Sequence, residues 1–89
     1  MKKNQDIRIV ALQRGWVFIG RYLAKGDYVT LTNASVIRLW GTTKGIGELC
    51  DGPTKATKLD PCAGEVRFHR LTEVFSLKTT GTRWDGILG

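Results

Sequence analysis

The stretch 16-WVFIGRYLAKGDYVTLTNASVIRLW-40 decides how the chain folds. Val17, Phe18 and Ile19 put apolar side chains on both faces of an extended segment, Trp16 to Leu23, which predicts a strand with neighbours on each side. Ala24–Asp27 is a turn by its glycine and aspartate. Tyr28 to Thr32 then alternates, with Val29 and Leu31 on one face and Tyr28, Thr30 and Thr32 on the other, a strand with one face exposed. Asn33 reads as a turn residue, and a further strand runs from Ser35 to Trp40. Its period of two sets Ile37 and Leu39 toward the core and Val36, Arg38 and Trp40 opposite.

Before this stretch, Ile7 to Leu12 is a β-branched run joined to it by Gln13-Arg14-Gly15, giving another strand. After it, 42-TTKGIGELCDGP-53 is too rich in glycine for a long helix, although Gly45 to Cys50 suits one helical turn before Asp51-Gly52-Pro53 stops it. Residues 54–65 read as a polar loop or short edge strand, and 66-VRFHRLTEVFSLK-78 as one or two strands. The expected fold is mainly β: a small antiparallel sheet or partly open barrel of five to seven strands with one short helical turn. Residues 1–78 form the single β domain, and 79–89 a C-terminal tail, loosely held or docked through Trp84 and Ile87.

A chain of 89 residues is one domain whose core leaves little stability unaided, so a homo-oligomer, dimer or tetramer, is expected. Fourteen Lys and Arg against eight Asp and Glu leave +6, which favours an anionic partner: nucleic acid, a nucleotide or a phosphorylated metabolite. The cations are dispersed, so a disordered basic arm is not expected. Asp6, Arg8, Gln13 and Arg14 interrupt any secretory apolar run and no segment spans a bilayer, which predicts a cytoplasmic protein. Cys50 and Cys62 are then reduced thiols. With one histidine, His69, they form no metal-ligand set, and no cofactor is implied. His69 has no evident nucleophile, and Glu48 with Asp51 is an ordinary acidic pair, so an enzyme is not expected.

Within eight residues, Trp40 to Gly47, the chain places a tryptophan, two threonines, a lysine and three glycines. Gly41 and Gly45 bracket Thr42, Thr43 and Lys44, so backbone N–H groups and hydroxyls converge beside an ammonium, a nest suited to phosphate. The pattern is neither a Walker loop nor a dinucleotide fingerprint. A strand-to-turn connection using glycine for positive φ is the simpler account of it. Trp16 and Trp40 each lie beside a glycine and near an arginine, Arg14 and Arg38, an arrangement in which an indole stacks on a base while the guanidinium meets phosphate. Core packing is the simpler account of Trp16, inside a doubly apolar strand; for Trp40 the two accounts stand level. Lys55 and Lys58 add charge beside the loop, or simply form a solvated face.

The segments "QRGWVFIGRY", "LTNASVIRLWGTTKGIGEL" and "GPTKATKLDPCAGEVRF" resemble a family of short proteins of tailed phages and prophages, over roughly Ile9 to Val74. Ala63, between Cys62 and Gly64, departs from the family's Cys-Gly turn. That family in turn looks like the phage anti-CBASS sponges, small oligomers that bind cyclic nucleotide immune signals and withhold them from host effectors. The resemblance implies an immune-evasion protein of the host bacterial cytoplasm that sequesters a cyclic di- or trinucleotide, with Trp40, Gly41, Thr42, Thr43, Lys44, Gly45, Arg38, Arg14 and Trp16 as binding residues. Two other readings stay open: a small β-barrel that binds nucleic acid, and a phage structural or protein-inhibiting module.

Overall fold

The computed structural model of the chain describes residues 6–43, 45–79 and 82–88. The described residues form six antiparallel strands in one open sheet: β1 (Ile7–Leu12), β2 (Val17–Lys25), β3 (Tyr28–Leu39), β4 (Lys58–Pro61), β5 (Val66–His69) and β6 (Glu73–Lys78). Short 3₁₀ turns occupy Gln13–Gly15, Ile46–Asp51 and Arg70–Thr72, and a helix α1 (Thr82–Leu88) follows. β6, β1, β2 and β3 lie side by side in that order. The far edge of β3 is shared: its first half pairs β5, from Tyr28↔His69 to Leu31↔Val66, and its second half pairs β4, from Ser35↔Pro61 to Leu39↔Lys58. The sheet does not close into a barrel.

β2 is central, as its two apolar faces require, between β1 and β3. The two strands expected on either side of Asn33 are one strand. Asn33 keeps a left-handed backbone, φ 51, but as a bulge inside β3, where the register on β2 slips between Ile19↔Ser35 and Arg21↔Thr32. Asparagine tolerates that conformation, and a bulge bends a strand without ending it. Gly20 lies opposite the slip. A Cβ there would meet the Cβ atoms of Ala34 at 3.1 Å and Leu31 at 3.2 Å, a crowding that glycine avoids where the bent strand approaches closely.

The sheet divides the core in two. One face packs Ile7, Ile9, Ile19 and Ile37 beneath Leu49 of the 3₁₀ turn and Trp84 of α1. Trp84 has no exposed surface and donates from Nε1 to the Leu49 carbonyl at 2.6 Å, which satisfies the polar edge of a ring whose burial stabilises the fold by about 3 kcal/mol. The tail is anchored by Trp84 as its sequence suggested, but Ile87 is exposed and Leu88 supplies the second contact. The other face packs Val10, Val29, Leu31, Ala34 and Phe68 against one another. A second slip, between Ile37↔Leu59 and Leu39↔Lys58, overturns the expectation that Leu39 joins Ile37 in the core: Ile37 is buried and Leu39 is 52% exposed. No described helix is long and apolar enough to cross a membrane.

Candidate functional site

Where β3 ends, the chain leaves the sheet through Trp40 and Gly41, and both carbonyls are caught by a loop about fifteen residues further on. Thr57 Oγ1 donates to the Trp40 carbonyl at 2.6 Å and Thr54 Oγ1 to the Gly41 carbonyl at 2.6 Å. The two threonines hold each other in place: Thr54 N donates to Thr57 Oγ1 at 2.9 Å, Thr57 N to the Thr54 carbonyl at 3.2 Å, and Ala56 N to Thr54 Oγ1 at 3.1 Å. This is a hydroxyl-capped turn of the kind Ser and Thr favour. Gly41 adopts φ 66, and a Cβ on it would stand 2.6 Å from the Ala56 carbonyl oxygen and the Thr57 nitrogen. No other residue fits under the clamp.

Arg38, Leu39, Trp40, Gly41 and Thr42 line a shallow depression of about 440 Å³, open to solvent. Trp40 is 41% exposed in it, so part of the indole is free for contact while its backbone is fixed. Its arginine is already paired. Arg38 Nε donates to Asp60 Oδ2 at 3.0 Å, across the β3–β4 register, in an exposed pair worth about 0–1 kcal/mol.

The glycine loop turns back on itself. Thr43 donates to Glu48 Oε1 from its backbone nitrogen at 3.2 Å and from Oγ1 at 3.5 Å. Gly45, at φ 95, lets the chain enter the 3₁₀ turn, where Glu48 N donates to its carbonyl at 3.1 Å. A carboxylate therefore occupies donors that the sequence reading gave to phosphate. The turn is fixed beneath by Leu49, whose side chain is buried and whose carbonyl receives Trp84.

The residues expected together from sequence divide into three sets. Arg38, Trp40, Gly41 and Thr42 share the depression, and Thr43 and Gly45 belong to the loop beside it. Lys44 lies outside the described residues. Arg14 and Trp16 are not among the walls of the depression: Arg14 takes a left-handed backbone, φ 70, in the β1–β2 connection, and Trp16 lies nearly parallel to Phe18, ring centroids 6.3 Å apart. Trp16 is 56% exposed, which corrects the expectation that it packs in the core. Thr54 and Thr57 hold the site and were missed; the signal is a Thr-x-x-Thr spacing after proline, which read only as a polar loop.

The face that carries Val29 and Leu31 has a second hollow, of about 300 Å³, lined by Tyr22, Ala24, Gly26, Val29, Arg70 and Glu73. Tyr22 donates its hydroxyl to Glu73 Oε1 at 2.8 Å, and the Arg8 guanidinium lies over its ring, 4.2 Å from the centroid. Burial, and then the bond to Glu73, raise the Tyr22 phenol above its ordinary value. The hydrogen bond and nearby charge of Asp6 raise Arg8, against its own burial. Cys50 and Cys62 are free thiols, and no metal-ligand cluster occurs among the described residues.

No family model, curated protein or solved structure matches the chain.

Proposed function

We propose that the protein is a binding protein that sequesters a cyclic di- or trinucleotide, at the Trp40 depression and without making or breaking a bond. In this reading it is a phage-encoded immune-evasion protein of the anti-CBASS sponge type, acting in the host bacterial cytoplasm. Support comes chiefly from one observation: a half-exposed indole on a backbone clamped by Thr54 and Thr57, beside an arginine and a threonine. Clamping lowers the ordering cost of stacking a base on Trp40, which is the part of binding that a mobile loop loses. Phosphate then takes Thr42 and Thr43 donors, with Glu48 displaced from Thr43, and Arg38 turns from Asp60 to the ligand.

A sponge must bind at about nanomolar level, or −12 kcal/mol, and a shallow open depression encloses one side of a base only. A second copy placed over it completes the enclosure, and a two-fold axis suits a ligand that is itself nearly two-fold. The protein is accordingly a dimer or tetramer in this reading. Calorimetry against a panel of cyclic di- and trinucleotides tests it. Trp40→Ala should weaken binding by about 1–3 kcal/mol, the worth of a stacked base, with melting temperature unchanged. Absence of binding to every member of the panel, or undiminished binding by a folded Trp40→Ala protein, ends the proposal.

A further inference from the structure

The face of the sheet that carries Trp84 and Leu49 over its isoleucines continues bare past Arg21. Directly opposite residues of an antiparallel pair share a face. The pairs Leu23↔Thr30, Lys25↔Tyr28, Tyr28↔His69 and Thr30↔Arg67 therefore put Leu23, Lys25, Tyr28, Thr30, Arg67 and His69 on one surface across β2, β3 and β5. Their neighbours in sequence, Val29, Leu31 and Phe68, point into the core on the other face. Lys25, Arg67 and Leu23 are exposed, and Tyr28 is 44% exposed.

Three features of this surface point to one kind of partner. Its cations are uncommitted: among the described residues neither Lys25 nor Arg67 forms an ion pair, whereas Arg8 holds Asp6 and Arg38 holds Asp60. No paired position of the surface is a carboxylate. Its aromatic is held: the Arg67 guanidinium lies over the Tyr28 ring at 4.5 Å, and His69 meets the same ring edge-on at 5.1 Å. The His69 ring is itself fixed, because Leu71 N donates to its Nδ1 at 3.1 Å.

We infer that this surface binds single-stranded nucleic acid. An ordered tyrosine capped by a guanidinium offers stacking planes for splayed bases, and Arg67 and Lys25 reach the phosphates between them. Three strands spaced by about 4.8 Å give a platform wide enough for two or three nucleotides. A duplex keeps its bases stacked inside and cannot use the planes. The site lies at the opposite end of β3 from Trp40 and does not depend on the cyclic nucleotide reading.

The test is fluorescence anisotropy of labelled oligothymidylate and oligouridylate of about ten nucleotides, against a duplex of equal length. Both single strands should bind more tightly than the duplex. With two phosphates engaged, log K should fall with log salt at a slope of about −1.4, far shallower than for an extended basic groove. Tyr28→Ala should weaken binding about tenfold, and Arg67→Glu more than that, while Trp40→Ala leaves it unchanged. Lys25→Glu, at the exposed end of β2, provides a variant whose folding is not in question and should also weaken binding. Equal affinity for duplex and single strand, no binding to either single strand, or full binding by folded Arg67→Glu and Lys25→Glu proteins overturns the inference.

Discussion

An exposed aromatic stands at each end of β3, Tyr28 in its first position and Trp40 just past its last, and the two ends treat their polar neighbours in different ways. At the Trp40 end four groups are answered from within the chain: Arg38 by Asp60, the Thr43 donors by Glu48, and the Trp40 and Gly41 carbonyls by Thr57 and Thr54. At the Tyr28 end the cations Lys25 and Arg67 have no anion among the described residues, and the aromatic is propped by Arg67 and His69. The first end is stiff, and a ligand must displace something. The second lacks only an anion from outside. An internally satisfied site and an unsatisfied one differ in what a ligand gains: displacement exchanges one bond for another, whereas pairing an idle charge adds one.

The largest expected effect breaks the Trp40 end from below. Trp84→Ala removes a fully buried ring and the donor to Leu49, under the turn that carries Glu48, and should cost about 3–5 kcal/mol in urea denaturation. A loss below about 1 kcal/mol would mean that α1 does not pack on the sheet. Gly41→Ala attacks the same end from above. Its methyl would collide with the Ala56 carbonyl at an unfavourable positive φ, so a loss of at least about 2 kcal/mol is expected, with none from Gly26→Ala beyond its own backbone strain.

Behind the Tyr28 end, Tyr22→Phe removes a hydrogen bond to a carboxylate and should cost about 1.5 kcal/mol near neutral pH. It should also change the pH profile. The folded Tyr22 phenol holds its proton above the ordinary value of 10.0, so the folded state binds more protons than the unfolded one in that window. Its stabilising effect is full below pH 10.0 and is lost as pH rises through the folded value; the phenylalanine variant should lack that alkaline decline. Denaturation midpoints measured from neutral to alkaline pH check both points. The smallest effect sharpens the comparison: Arg38→Ala and Arg67→Ala should each change stability by less than about 1 kcal/mol. Only the second should lower affinity for single strands.

Much of this was legible locally. Two apolar faces on Val17–Ile19 made β2 central, and the alternation of Tyr28–Leu31 set the buried and exposed sides of β3 correctly. Asn33 was not legible, because the same left-handed asparagine serves a turn or a bulge; only the shared neighbour, β2, decides between them. Leu39 was lost to the second slip, since one displaced residue reverses every side chain beyond it. The Trp40 loop was visible as a cluster, but Glu48, a few residues on, and Thr54 and Thr57, beyond the turn, supply its partners. Arg67 and His69 reach Tyr28 from nearly forty residues away through a strand pairing that no spacing announces.

The seam between β1 and β6 has a kinetic consequence. β1, β2 and β3 follow one another as a meander, whereas Arg8↔Lys78 joins the first strand to the last. Closing so long a loop is entropically costly until the strands between it are in place, so the seam should form last in refolding. Side chains cross it at Thr79, which donates to the Ile7 carbonyl from N at 3.0 Å and from Oγ1 at 2.7 Å, and at Arg8, whose Nη1 donates to Ser76 Oγ at 3.5 Å. In native-state hydrogen exchange, β6 should open before the sheet does, with the amides of β2 and β3 holding their protection until global unfolding.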